Sequence, residues 1–105
     1  MAIAQVFSWH PRPGRLADFM AIAKKADKII RAHGAATRTL NSVSGGVAGG
    51  LIYVIETANW KAFGDLEAKL ETDKAWQALL AEVNSTDKPT ADLISSAVYS
   101  EIPLG

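Results

Sequence analysis

Few residues in this chain could do chemistry. Two histidines, His10 and His33, are the side chains suited to exchange a proton near neutral pH. His10 follows a short apolar run, IAQVFSW, and stands beside Arg12. It reads either as a base or hydrogen-bond donor at a pocket rim, or as an exposed turn residue. His33 lies in line with an apolar helical stripe, in the last turn. It reads either as a general base or haem ligand directed into a pocket, or as a helix-terminal residue satisfied by backbone carbonyls and the helix dipole. The chain has no cysteine, which excludes disulfides, thiolate catalysis, zinc knuckles and iron–sulfur ligation. Two separated histidines without clustered carboxylates do not make a zinc or non-haem iron site, so no metal is expected.

Gln5 and Arg38 are polar residues inside strand-like runs. Whichever of them faces a helix layer is buried, needs a partner, and becomes a candidate for orienting a ligand oxygen. Arg38 at a sheet edge also reads as simply solvated. The aromatic stock includes Phe7, Trp9, Phe19, Tyr53, Trp60, Phe63 and Trp76. Packing at strand and helix spacing accounts for Phe7 and Phe63. Trp60, Trp76, Tyr53 and Phe19, with His10 and Arg38, are the candidates for walling a ligand pocket. No Ser–His–Asp or paired-carboxylate arrangement is visible; the carboxylates fall mostly on solvated helix faces.

The elements that must position these residues follow from period and punctuation. Residues 3–9 read as a strand, halted by Pro11, and HPRPGR as a turn. From Arg15, apolar residues recur at Leu16, Phe19, Met20, Ala23, Ala26 and Ile30, an amphipathic helix of about five turns. Gly34 is placed to end it in the left-handed conformation. Residues 35–43 read as a weaker edge strand and residues 51–57 as the strongest strand. Asn59 caps a second helix carrying Trp60, Phe63, Leu66 and Leu70. Thr72 or Asp73 caps a third, carrying Trp76, Leu79, Leu80 and Val83. STDKPT, residues 85–90, is a polar loop, and residues 92–102 form the last strand before Pro103.

Residues 42–50, SVSGGVAGG, invite a phosphate-cradle reading. A P-loop needs Lys and then Ser or Thr after its last glycine, opening a helix. Here Gly50 opens a strand, so the segment reads as a hairpin connection. The order β-α-β-β-α-(α)-β is α+β and ferredoxin-like: a four-stranded antiparallel sheet with its helices on one face.

At 105 residues the whole chain, 1–105, reads as one domain, 49% hydrophobic and 21% charged. Eleven Lys and Arg offset eleven Asp and Glu, so neither nucleic acid nor an anionic membrane is an expected partner. The opening residues carry no basic segment ahead of an apolar run, and no stretch reaches membrane-spanning length; the expected compartment is the cytoplasm. The strands are apolar on both sides. Leu51, Tyr53 and Ile55 oppose Ile52 and Val54; Ile3, Phe7 and Trp9 oppose Ala4 and Val6; Leu93, Ala97 and Tyr99 oppose Ile94, Val98 and Ile102. Helices cover one side only, so the other is expected to be covered by a second copy of the chain.

Three stretches carry a family resemblance: HPRPGRLADFMAIAKKA after the opening strand, the hairpin SGGVAGGLIYVIE, and ETDKAWQALL before the last strand. Together they make the chain similar to the dimeric α/β-barrel superfamily, in its antibiotic-biosynthesis-type monooxygenase and NIPSNAP-like branches. The resemblance implies two ferredoxin-like halves paired into a barrel, with any pocket between each sheet and its helices. It implies a small organic, aromatic or polyketide-like ligand and no cofactor. The enzymatic version is a cofactor-free monooxygenase in which His33 or Gln5 assists deprotonation. The alternatives are a non-catalytic, stress-associated or ligand-binding module, and a haem-binding protein using His33.

Overall fold

The structure, a computed structural model, describes residues 1–46, 48–84 and 87–104. Val47 of the glycine-rich stretch, and Ser85 and Thr86 of the polar stretch read as a loop, lie outside the described residues. The elements are β1 (Ile3–Pro11), α1 (Leu16–Ala32), β2 (Ala36–Asn41), β3 (Leu51–Thr57), α2 (Trp60–Thr72), α3 (Lys74–Val83) and β4 (Ala91–Ser100). The sheet order is β2-β3-β1-β4, with antiparallel pairing throughout. This is the ferredoxin-like α+β arrangement expected from the sequence. No helix among the described residues is long and apolar enough to cross a membrane.

Local signals set most boundaries. Asn59 Oδ1 accepts the Ala62 N–H at 2.8 Å, which starts α2. Asp73 Oδ1 accepts the Trp76 N–H at 3.0 Å, which starts α3. Helix α1 ends in a Schellman motif: Gly34 has φ +94°, its N–H bonds Arg31 O, and the Ala35 N–H reaches back to Ile30 O. β1 runs two residues beyond Trp9, because Pro11 sits at its end, opposite Ala91, where a missing N–H costs no central ladder bond. β2 stops at Asn41, short of Val43. The glycine-rich stretch joins β2 to β3, antiparallel neighbours, as a hairpin connection should.

The core lies between one sheet face and the helices. Ile22, Ala26 and Ile30 of α1, Tyr53 and Ile55 of β3, Leu66 and Leu70 of α2, and Leu79 and Val83 of α3 pack together. Phe7 is in register with Tyr53, Trp9 with Leu51 and Gln5 with Ile55, so Ile3, Gln5, Phe7 and Trp9 face the helices. Ala4, Val6, Ser8 and His10 share the opposite face with Ile52 and Val54. On β4 the pairing slips: Ser8 is opposite Ser95, but Trp9 is opposite Leu93. Ile94 is the extra residue of a bulge, and a bulge reverses side-chain parity beyond it. Leu93 therefore shares the helix-side face with Val98, while Ala97 and Tyr99 lie on the other. Strict alternation would group Leu93 with Ala97 and Tyr99; the bulge separates them.

Candidate functional site

A cavity of about 110 Å³ opens between the sheet and helices α1 and α3. β1 supplies Phe7 and Trp9 to it, and β3 supplies Leu51, Tyr53 and Ile55. Phe19, Ile22 and Ala26 come from α1, and Trp76, Leu79, Leu80 and Val83 from α3. Trp9 and Phe19 lean on each other with ring centroids 5.3 Å apart. Thr39 and Leu80, both exposed, mark where the space meets solvent. The walls are carbon almost throughout, so water has little to bind and the cavity is of the dry, apolar kind.

Tyr53 explains why. Its ring forms part of the wall, but its hydroxyl donates to Asp27 Oδ1 at 2.7 Å. Burial, and then the neighbouring Asp27 carboxylate, push the phenol far above the ordinary tyrosine range, against a smaller opposite pull from Thr37 and Arg31. Tyr53 is thus a neutral phenol whose polar end is committed. Next to it Arg31 Nε donates to Thr37 Oγ1 at 2.9 Å, and Arg31 Nη2 to the Thr37 carbonyl at 3.2 Å. These bonds satisfy the buried threonine. Asp27 did not stand out as a site residue in the sequence. Its signal was its place, four residues after Ala23 and three before Ile30, inside the apolar stripe.

Of the residues picked from sequence, Phe19, Tyr53 and Trp76 come together at the cavity. The others lie elsewhere. Trp60, in the first turn of α2, is 57% exposed and packs edge-on against Phe63. His10 points from the opposite sheet face and donates from Nε2 to the Ala48 carbonyl at 3.0 Å, tying down the glycine-rich hairpin. Arg38, on the same face, pairs with Glu56. Gln5 faces the helices; its Nε2 donates to Glu67 Oε1 at 3.0 Å, and its buried Oε1 has no partner among the described residues.

His33 closes α1 and does not line the cavity. Its Nε2 lies 2.7 Å from Asp73 Oδ2. An ionised carboxylate only accepts, so Nε2 carries the hydrogen. The His33 contact, followed by the Trp76 N–H, holds the Asp73 carboxyl below the usual carboxylate range. The plain partners of a histidine ending a helix are backbone carbonyls; His33 instead meets a side chain 40 residues away. Among the described residues no three histidine, aspartate or glutamate side chains gather as a metal site.

No protein-family model matches the sequence, and no curated relative does. Solved structures match along nearly the whole chain. An uncharacterised NIPSNAP domain protein from Burkholderia xenovorans superposes with a TM-score of 0.72 at 15% identity, covering 100% of this chain and 98% of that one. Rv0793 from Mycobacterium tuberculosis gives 0.71 at 15% identity, with 98% and 97% covered. SnoaB, a cofactor-independent oxygenase from Streptomyces nogalater, gives 0.70 at 8% identity, with 95% and 92% covered. The chain shares their ferredoxin-like fold. At these identities the likeness speaks for the fold alone, because one fold hosts many chemistries.

Proposed function

We propose that the protein binds a small apolar organic molecule in the cavity under α1 and α3, without transforming it, and works as a homodimer. The carrying observation is a hydrocarbon-walled space whose one buried hydroxyl, on Tyr53, is turned away to Asp27. Phe19, Tyr53 and Trp76, with Phe7 and Trp9 of β1, are the aromatic contacts for the ligand. Methyl-resolved NMR during a toluene titration tests this: shifts at Ile22, Leu51, Leu79 and Val83 are the expected result. Shifts absent there, or confined to the surface, contradict it.

The dimer reading rests on the face opposite the helices. Val6, Leu40, Ile52, Val54 and Tyr99 share that face by register; Val54 is buried among its neighbours, while Leu40 and Tyr99 are about half exposed. Soluble monomers rarely leave such a patch open. A second copy, packed sheet against sheet, covers it with the same surface it offers.

SnoaB's description as a cofactor-independent oxygenase supports a second reading, an oxygenase acting on an electron-rich ring. It requires a base at the cavity wall, and the imidazoles of His10 and His33 both point to other partners. Gln5, whose Oε1 has no partner among the described residues, faces the helices beside the cavity without lining it, and its amide orients a ligand oxygen rather than taking a proton. Oxygen uptake across dihydroxyaromatic compounds separates the readings, and uptake abolished by Gln5→Leu establishes the oxygenase.

A further inference from the structure

The cavity's outer wall is α3, and one carboxylate holds the start of that wall. Helices α1 and α3 line the space with the sheet, while α2 contributes nothing to it. Helix α3 rests chiefly on α1 and α2. Asp73 is the junction of all three. Its N–H closes α2 on Leu70 O at 3.2 Å, its Oδ1 caps α3 through the Trp76 N–H, and its Oδ2 receives the Nε2–H of His33, the residue that ends α1. Trp76, whose amide is held this way, is itself a wall of the cavity. The other polar link between α1 and α3 among the described residues, Lys25 to Glu82 at 3.4 Å, joins side chains about half exposed; such surface pairs contribute little. The His33 and Asp73 side chains are 25% and 20% exposed.

We propose that the His33–Asp73 pair latches α3 at a height that admits a single-ring hydrocarbon or branched alkyl end and excludes fused rings. The proposal rests on the ligand reading above. A dry apolar cavity of about 150 Å³ takes a benzene ring. At about 110 Å³ this one holds a single ring inside, and its way out runs between Thr39 of β2 and Leu80 of α3. A fused-ring ligand seated wholly inside must lift the N-terminal end of α3, where Trp76 sits, and that motion breaks the carboxylate–imidazole contact. The pair acts through the position of Trp76 and touches no ligand itself.

The test uses the full chain, benzene and naphthalene as probes, and three variants. His33→Ala removes the donor. Asp73→Ser keeps an oxygen to cap α3 but loses the one His33 holds, which covers the case of His33→Ala failing to fold. His33→Gln keeps a side-chain N–H donor. Calorimetry reads binding, and amide hydrogen exchange reads residues 74–83 against β3. The expected result is benzene bound and naphthalene excluded in the native protein. In His33→Ala and Asp73→Ser, α3 should exchange about tenfold faster with β3 unchanged, and naphthalene should bind. His33→Gln should restore both native readouts. Unchanged α3 exchange overturns the latch. Faster exchange with naphthalene still excluded overturns the size limit. A native protein that takes neither hydrocarbon overturns the ligand reading, a failure told apart from the latch's by the exchange data.

Discussion

Tyr53 is where the apolar and polar parts of the interior meet, and its behaviour can be tested alone. The chain has two tyrosines, so Tyr99→Phe leaves Tyr53 as the only phenol. Folding raises its pKa, so the neutral form is favoured in the native state. Its contribution to stability is whole below pH about 10, the unfolded value, and is lost as pH rises beyond it toward the folded value. Tyrosinate absorbance in Tyr99→Phe should therefore appear only together with unfolding; a separate titration near the ordinary value contradicts the burial. Tyr53→Phe keeps the cavity wall and strips Asp27 of its donor. It should cost about 2 kcal/mol in chemical denaturation, the range for a bond to a charged group, and leave toluene binding unchanged. Asp73 works with the opposite sign. Its pKa is depressed by His33 and the Trp76 N–H, so its stabilisation is present above about pH 3.9 and lost as pH falls through the lower folded value. The stability gap between the native protein and His33→Ala should close in acid, and a gap that persists there contradicts the pairing.

At the scale of elements, the caps carry most of what could be foreseen. Asn59→Ala removes the side chain that accepts the Ala62 N–H and should cost about 1 kcal/mol. Gly34→Ala meets no steric obstacle, since nothing lies within 4 Å of the added carbon. Its cost, about 1 kcal/mol by the same measurement, comes only from the left-handed backbone at φ +94°. Loss of stability well outside either figure would mean the cap or the turn acts otherwise. Asn59, Asp73 and Gly34 were legible because their signals are local: a short polar side chain before an apolar period, a glycine after one. The stripe of α1 was legible for the same reason. The bulge at Ile94 was not, because parity is set by how β4 registers on β1, which no window along the chain contains. His33–Asp73 was hidden by its 40-residue separation, although each residue alone was marked as a helix terminus. Gln5, whose facing depended on which side of β1 met the helices, could not be placed until Phe7 was seen opposite Tyr53.

Over the whole molecule, the sheet has helices for one face and apolar residues on both. Tyr99 is 58% exposed on the uncovered face, so Tyr99→Lys barely disturbs a single chain yet buries a charge in a sheet-to-sheet dimer. Sedimentation should give a two-chain particle for the native protein and a one-chain, folded particle for this variant. A native protein that sediments as one chain contradicts the dimer while leaving the cavity untouched. The cavity itself depends on α3 standing off the sheet between Trp76 and Val83, with the Tyr53 hydroxyl turned away to Asp27. The most direct measurement is diffraction from a crystal pressurised with xenon, an atom that settles in dry apolar cavities. Xenon density enclosed by Phe19, Ile22, Tyr53, Trp76 and Leu79 is the expected result. A space closed by side chains, or holding ordered water in place of xenon, would contradict it.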